Sequence, residues 1–302
     1  MPRISVITPG YNGARFVGRT IESLQAQTFR DWEHIVVDDG STDDSASVIA
    51  EYAARDPRVQ LIRQPNGHVC KARNAGFAAS DPDSPYLLFL DADDILEPRA
   101  IERMLAHLDS HPRVGLAYCS VSLIGIDDRP ISTRGFDSWW EARHVPTKHG
   151  FSRLPDHVAE TGLPSLLASF RAIPSTAFIR RDVFEATTGW DESFRDGAED
   201  LDLVVQMALI APVHFLRLKL VRYRRHDANF SNQDFCSGIA RFRRKWWSNR
   251  HLNDSQQAAL REAMVFANEL PTSVLNSPSA HNAPPRELGR GILQLCGAAF
   301  QA

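Results

Sequence analysis

The 302-residue sequence predicts an α/β protein: a mostly parallel sheet with helices on both faces, followed by a helical C-terminal extension. Three observations carry this. Short apolar runs alternate with segments of helical periodicity from residue 1 to about 121. Strands separated by helices pair most readily in parallel, because the helix supplies the crossover. Finally, carboxylates collect directly after two of the apolar runs, at the edge where open parallel sheets bind ligands.

"ISVIT" (4–8) reads as a buried strand, and the stretch 16–26 carries Phe16, Val17, Ile21 and Leu24 at helical spacing. "HIVVD" (34–38) is the second strand. "GSTDDSASVIAEYAARD" then opens a helix with Ser, Thr and Asp as cap candidates and Val48, Ile49 and Tyr52 on one face. The pattern continues with "VQLIR" (59–63), a helix near 69–80, "YLLFL" (86–90), a helix near 98–109 and "VGLAYCSV" (114–121). It lapses from about 122 to 172, where Pro, Gly and the exposed-looking "FDSWWEARH" (136–144) stand. Regular structure resumes over 175–209, and "GIARFRRKWWSNRH" (238–251) leads into a helical tail. A Pro/Ser/Asn-rich joint at 270–285 sets off the last helix.

Hydrophobic residues make up 43% and charged residues 24%, ordinary values for a globular chain, and the formal charge of −3 argues against general nucleic-acid binding. Cys70, Cys119, Cys236 and Cys296 are far apart in sequence, which points to reduced thiols rather than a zinc knuckle or disulfide framework. The chain enters its first strand without a leader, and its apolar stretches, Val114–Ile126 and Leu203–Leu216, are too short to span a bilayer. The expectation is a cytoplasmic protein that is not integral to a membrane, with attachment at the inner membrane face a separate question.

The chemistry concentrates in the carboxylates. Asp38 and Asp39 follow the second strand, and Asp91, Asp93 and Asp94 follow the fourth. Packed carboxylates repel one another and resist desolvation, so a positive group is expected beside them. An Asp-x-Asp at a strand end suits a hard divalent cation, Mg²⁺ or Mn²⁺, whose remaining ligands are phosphate oxygens. Neither a Gly-x-x-x-x-Gly-Lys-Ser/Thr loop nor a Gly-x-Gly-x-x-Gly turn is present. A diphosphate would therefore be held by metal and side chains, which favours a nucleoside-diphosphate donor over ATP chemistry.

The ordered set "VITPGYN", "QTFRDWEHIVVDDGSTDDS", "NGHVCKARNAG", "LLFLDADDILEP" and "GAEDLDL" resembles family-2 glycosyltransferases of the GT-A fold, whose sheet is Rossmann-like. The resemblance runs over residues 3 to about 121 and about 175 to 230. It implies a catalytic domain at 1–231, with a nucleotide-sugar half (1–121) and an acceptor-side half carrying the base (122–231), and a helical extension at 232–302. Pro9 and Tyr11 match positions contacting base and ribose, while Asp39, with Asp38 beside it, matches the acid that reads the base. Arg73 matches a base or phosphate contact and Lys71 is a second cation. Asp91 meets the ribose or metal, Asp93 the metal, and His226 of "YRRHDANFS" lies near the diphosphate or metal. Asp200 of the Glu199-Asp200 pair is the general base, and its place in the first turn of a helix favours the ionised form.

The implied reaction is inverting transfer from a UDP- or dTDP-sugar to a saccharide, lipid-linked or small-molecule acceptor. One departure from the family pattern, Gly67-His68 and Cys70-Lys71 where small residues are common, puts bulk near the donor pocket. An aspartate-nucleophile phosphatase, a nucleotidyltransferase and an inactive sugar-nucleotide-binding scaffold are the rivals. The first places its Asp-x-Asp on an early strand, the second wants a Gly-rich basic loop after the first strand, and the third loses the acids retained here. In the tail, Phe235, Ile239, Phe242 and Trp246 form a helical stripe. Packing onto the catalytic domain explains the stripe. Arg241, Arg243, Arg244, Lys245, Trp247 and Arg250 around it also fit contact with an anionic membrane surface.

Overall fold

Burial on both faces dictates the first half of the molecule. All residues of β1 (Ile4–Gly10) and β2 (Trp32–Asp38) are buried, as strands covered on both sides by helices must be. Between and after them come α1 (Val17–Gln25), α2 (Ser45–Arg55), β3 (Val59–Arg63), α3 (Val69–Ala78) and β4 (Tyr86–Phe89). Each apolar run and each helical stretch read from the sequence up to this point is an element of that type. The structure, a computed structural model, describes residues 1–131, 144–147, 150–153, 158–168, 172–227, 229, 236–247, 252–258 and 260–261.

The chain continues through β5 (Ile95–Leu96), α4 (Ala100–Ser110) and β6 (Leu116–Ile124) to the hairpin β7 (His144–Thr147) and β8 (Gly150–Arg153). Then follow β9 (Val158–Glu160), α5 (Leu163–Ala168), a 3₁₀ turn at Pro174–Thr176, β10 (Ala177–Arg180) and α6 (Arg181–Glu185). The described part closes with α7 (Glu199–Ala208), β11 (Val213–Arg224) and α8 (Cys236–Trp247). Most of "FDSWWEARH", the joint at 270–285 and the last helix lie outside the described residues.

The main sheet runs β3-β2-β1-β4-β10-β6-β11-β5, with β9 also on β11. Pairing is parallel from β3 to β4 and between β6 and β11. β10 enters antiparallel between β4 and β6, and β5 and β9 pair antiparallel with β11. The sheet is therefore mixed, with a parallel block carrying the predicted site. β11 has no counterpart in the sequence reading, although Leu216, Leu218 and Leu220 alternate with Arg217 and Lys219 as strand periodicity requires.

Two apolar clusters cover the two faces. One holds Ile7, Leu87, Phe89, Phe184 and Trp190, the other Val6, Ile21, Leu88, Met104 and Phe178. A side chain at Gly76 would place its Cβ 2.4 Å from Ile7 Cγ2. That glycine lets α3 settle onto β1, which fixes where Arg73, one turn earlier, emerges. Ile239, Phe242 and Trp246 of α8 are buried in the first cluster, so the stripe is a packing face; Phe235 lies outside the described residues. Among the described residues no helix is long and apolar enough to cross a membrane.

Candidate active site

Because β2, β1 and β4 are parallel, the loops at 9–13, 38–45 and 91–94 leave the sheet from one edge. The first two are clipped together by side chains. Asn12, at φ 51°, donates its N–H to Ser41 Oγ (2.9 Å) and accepts Thr42 N–H at Oδ1 (2.8 Å). Gly13 N–H donates to Ser45 Oγ at 2.9 Å. Sequence reading passed over Asn12, Ser41 and Ser45, because Asn and Ser in turns are common and carry no specific signal.

Pro9 is buried in β1, whereas Tyr11, 55% exposed, stands at the mouth of this edge. Asp39 is buried and accepts Gln64 Nε2 at 2.6 Å and Gly67 N–H at 2.9 Å, both on Oδ1. Asp38 is turned inward: its Oδ1 accepts Ser41 N–H (3.2 Å), and Arg63 Nε approaches Oδ2 at 3.5 Å. Lys71 is exposed in the first turn of α3. The departure flagged in "NGHVCKARN" resolves into two different placements. His68 is exposed, at φ 71°, but Cys70 is buried in the core with Sγ 3.6 Å from Phe194 O, and burial pushes its thiol up to about 12. Cys119 is likewise a buried free thiol.

The positive group expected among the carboxylates is Arg73. Its guanidinium is 4% exposed, donates to Asp91 Oδ1 at 2.9 Å and reaches Glu199 Oε1 at 3.4 Å. The face of Trp190 lies 4.3 Å from its Cζ, a cation–π contact that holds the fork in place. Arg73 thus joins the acids after β4 to the acids that begin α7, across 126 residues of sequence.

The three acids after β4 divide. Asp91 and Asp93 are partly exposed, at 31% and 26%. Burial raises the pKa of Asp91, Arg73 opposes this and Asp93 adds to it. Asp93 Oδ2 meets His226 Nε2 at 2.9 Å and accepts Asn229 Nδ2 at 3.2 Å. His226 itself stacks on Phe16 with ring centroids 4.8 Å apart. Asp94 is fully buried and points away from this edge: Oδ1 accepts Arg224 N–H at 3.0 Å, and Oδ2 has no hydrogen-bond partner among the described residues. Burial, then Asp93 and Asp91, lift its pKa well above the usual carboxylate range.

This donor set fits a divalent ion. Two partly exposed carboxylates with open oxygens suit a hard cation such as Mn²⁺ or Mg²⁺. In this arrangement His226 spends Nε2 on Asp93, so it orients that carboxylate rather than offering the same nitrogen to an ion.

At the start of α7, Gly197 and Ala198 both take positive φ, 94° and 67°, and turn Glu199 and Asp200 toward Arg73. Asp200 Oδ1 accepts Leu201 N–H at 2.7 Å. Helix-end position was expected to favour its ionised form. Instead burial, followed by repulsion from Glu199, pushes Asp200 up to about 7. Desolvation thus outweighs the helix dipole at this position.

One turn inside, Asp202 is fully buried and bonded on both oxygens. Trp246 Nε1 donates to Oδ1 at 2.7 Å; Lys245 Nζ and Gln206 Nε2 donate to Oδ2 at 2.8 and 2.9 Å. Lys245 also reaches Asp191 at 2.8 Å. A Cβ on Gly238 would lie 2.2 Å from Gly197 O, so α8 rests directly on the loop that turns Glu199 and Asp200. Sequence reading assigned Asp202 no role, placed Trp246 in the packing stripe, and set Lys245 among the basic residues that also fit a membrane surface.

Comparison with known proteins places the chain in a family and a fold. The model of the family described as Glycosyl transferase family 2 matches residues 5–187. An uncharacterized glycosyltransferase of Bacillus subtilis, EpsJ, is 38% identical over 161 residues, 53% of this chain and 45% of EpsJ. The chondroitin synthase of Pasteurella multocida is 39% identical over 105 residues, 35% of this chain and 11% of that protein. The chain spans less than half the length of the curated relatives it matches first. Among solved structures, Staphylococcus aureus TarS in complex with UDP-GlcNAc superposes with a TM-score of 0.63 at 18% identity, covering 92% of this chain and 76% of that one. The mannosyltransferase of Pyrobaculum calidifontis in complex with GDP-Man and Mn²⁺ gives 0.62 at 16% identity, covering 93% and 73%. At these identities the likeness establishes the GT-A fold alone.

Proposed function

Because the chain belongs to glycosyl transferase family 2, we propose that it transfers a sugar from a nucleoside-diphosphate donor to an acceptor nucleophile by a single inverting displacement. The observation carrying this reading is the Arg73 bridge, which brings Asp91 on the donor side to within one guanidinium of the Glu199-Asp200 pair. The donor base lies against Tyr11 and is read by Asp39, whose Oδ1 is fixed by Gln64 and Gly67 so that Oδ2 faces an N–H of the base. Pro9 backs that subsite, Asp38 braces the loop through Ser41, and Lys71 offers charge to the phosphates. UDP- or dTDP-sugars are the favoured donors; among the neighbours TarS carries UDP-GlcNAc and the Pyrobaculum mannosyltransferase GDP-Man.

Asp200 takes the proton from the acceptor as its oxygen attacks the anomeric carbon, the bond to the diphosphate breaks, and configuration inverts. A base with a pKa of about 7 suits this at neutral pH, being about half ionised and basic enough to hold the proton. Arg73 keeps Glu199 and Asp91 from repelling each other as charge moves. Asp93 and Asp91 would hold Mn²⁺ or Mg²⁺, which when bound offsets charge on the leaving diphosphate. His226 and Asn229 orient Asp93 for that role. The catalytic unit is assigned to 1–231, with 232–302 as a helical extension packed on it through α8.

Thermal-shift screening of nucleotide sugars with Mn²⁺ tests the donor assignment. A true donor at a hundred times its Kd stabilises by about 2.7 kcal/mol. Release of nucleoside diphosphate from that donor separates an enzyme from a binding scaffold, and a panel without any shift would reject the reading.

A further inference from the structure

A second cluster of ligating side chains lies away from the carboxylates. His107, in the last turn of α4, and His111, its C-terminal cap, meet His214 at the start of β11. Their ligand nitrogens all lie within 4.8 Å of one another. The other end of β11 carries Arg224, which donates to the carbonyl of Asp93, so the histidines sit at the opposite end of that strand from the candidate active site.

The geometry points to a binding site for a Zn²⁺-class transition-metal ion held by His107, His111 and His214. Tetrahedral coordination at Zn–N distances of 2.0–2.1 Å places ligand nitrogens about 3.3 Å apart. His107 Nε2 and His214 Nδ1 are already 3.1 Å apart. His111 is exposed and stacks on His107 with ring centroids 4.2 Å apart, so its ring must swing out of the stack to bring the third nitrogen in. Its tautomer is suited to this: His111 Nδ1 donates to the carbonyl of His107 at 2.9 Å, which leaves Nε2 as a lone-pair donor. Ligating histidines are commonly fixed in this way, by a hydrogen bond from the other ring nitrogen to a backbone carbonyl.

Charge supports the same reading. Burial, with the two neighbouring imidazoles, holds His107 down to about 4, and burial also lowers His214. Burial thus favours the neutral form of His107 and His214, the form that binds metal. His107 and His214 share one contact between ring nitrogens, whereas a cation would draw on a nitrogen from each of the three rings. Glu160, directly opposite His214 in the β9–β11 ladder, adds negative charge on the same face. Imidazole ligands select Zn²⁺, Ni²⁺ or Cu²⁺ over Mg²⁺, so this site is chemically distinct from the one at Asp93. An ion here would tie α4 to β11 and brace the far end of the sheet.

The test is calorimetric titration of Zn²⁺ into the EDTA-treated full chain, with excess Mg²⁺ present to occupy carboxylate sites. Wild type and Asp93→Ala should each bind one tight equivalent. His111→Ala and, separately, His214→Ala should weaken that equivalent roughly 100-fold or more, at least the loss seen when a ligand's supporting partner is removed. His111 is exposed, so His111→Ala should melt like wild type without metal. Co²⁺ should give the intense visible bands of tetrahedral coordination in wild type and lose them in His111→Ala. No tight equivalent in wild type, or equal binding by the histidine variants, would overturn the site.

Discussion

Two carboxylate clusters face each other across Arg73, and each contains a fully buried aspartate: Asp94 after β4 and Asp202 in α7. The two have the same side chain and the same burial but opposite solutions. Asp94 receives one backbone N–H, and its second oxygen has no partner among the described residues, so its neutral acid form is favoured. Asp202 is bonded on both oxygens by Trp246, Lys245 and Gln206; burial still lifts its pKa, but Lys245 opposes the rise. Burial likewise works against the Lys245 ammonium, and its two carboxylates outweigh it. What burial does to a carboxylate is thus decided by its partners. One aspartate accepts the backbone N–H of Arg224 at a strand end, and the other ties α8 to the helix that bears the proposed base.

The contrast breaks most visibly at Asp202. Asp202→Ala strands the Trp246 indole N–H in the core and leaves Lys245 with Asp191 alone. Losing one partner of a buried pair costs about 3–5 kcal/mol, and the residual Asp191 contact should keep the loss toward the lower figure. Chemical denaturation reads this directly, and Trp246→Phe, which removes only one bond, should cost about 1–2 kcal/mol. If both variants unfold like wild type, α8 does not anchor α7.

A pH profile sharpens the comparison between Asp200 and its buried neighbours. A base that titrates at about 7 makes kcat/KM rise about tenfold per pH unit below 7 and level off above it. The stability sign is the reverse. A carboxyl whose folded pKa lies above its unfolded value stabilises the fold at low pH and loses that contribution as pH rises through 7. Asp200→Asn should therefore lose the acid limb and gain stability above pH 7. A limb near 4 instead would mean that burial does not govern Asp200.

The smallest expected effect is at Asp94. If it is a neutral acid, Asp94→Asn keeps the shape and the acceptor for Arg224 N–H, and stability should change by less than about 1 kcal/mol. Asp94→Ala, which leaves that N–H without a partner, should cost about 1–3 kcal/mol. Equal losses in both variants would make Asp94 an essential anion.

How much of this was legible in the sequence follows from range. The strands β1, β2, β4 and β6 announce themselves because both faces are buried and their runs are continuous, while the edge strand β3 shows itself only through the short run Val59–Arg63. The Asp-x-Asp at Asp91 and Asp93 is visible because it interrupts such a run. β11 carried a readable alternation, but it adjoins the apolar end of α7 and was absorbed into that stretch. The antiparallel entry of β10 depends on pairings no local pattern encodes. Arg73 joining Asp91 to Glu199, and Trp246 reaching Asp202, bring together residues 126 and 44 positions apart. The pKa of Asp200 escaped for the same reason: the helix position is local, whereas the burial that outweighs it comes from the folding of the whole chain.

The central claim is that the two clusters divide the work, the acids after β4 holding the donor with its metal and Asp200 acting as the base. Calorimetry of the identified donor with Mn²⁺, run beside a turnover assay on Asp93→Ala and Asp200→Asn, tests it most directly. The expected result is that Asp93→Ala loses metal-dependent donor binding, while Asp200→Asn binds donor as wild type does but turns over about 10²–10⁴-fold more slowly. Near-normal turnover by Asp200→Asn, or wild-type donor affinity in Asp93→Ala, would contradict it.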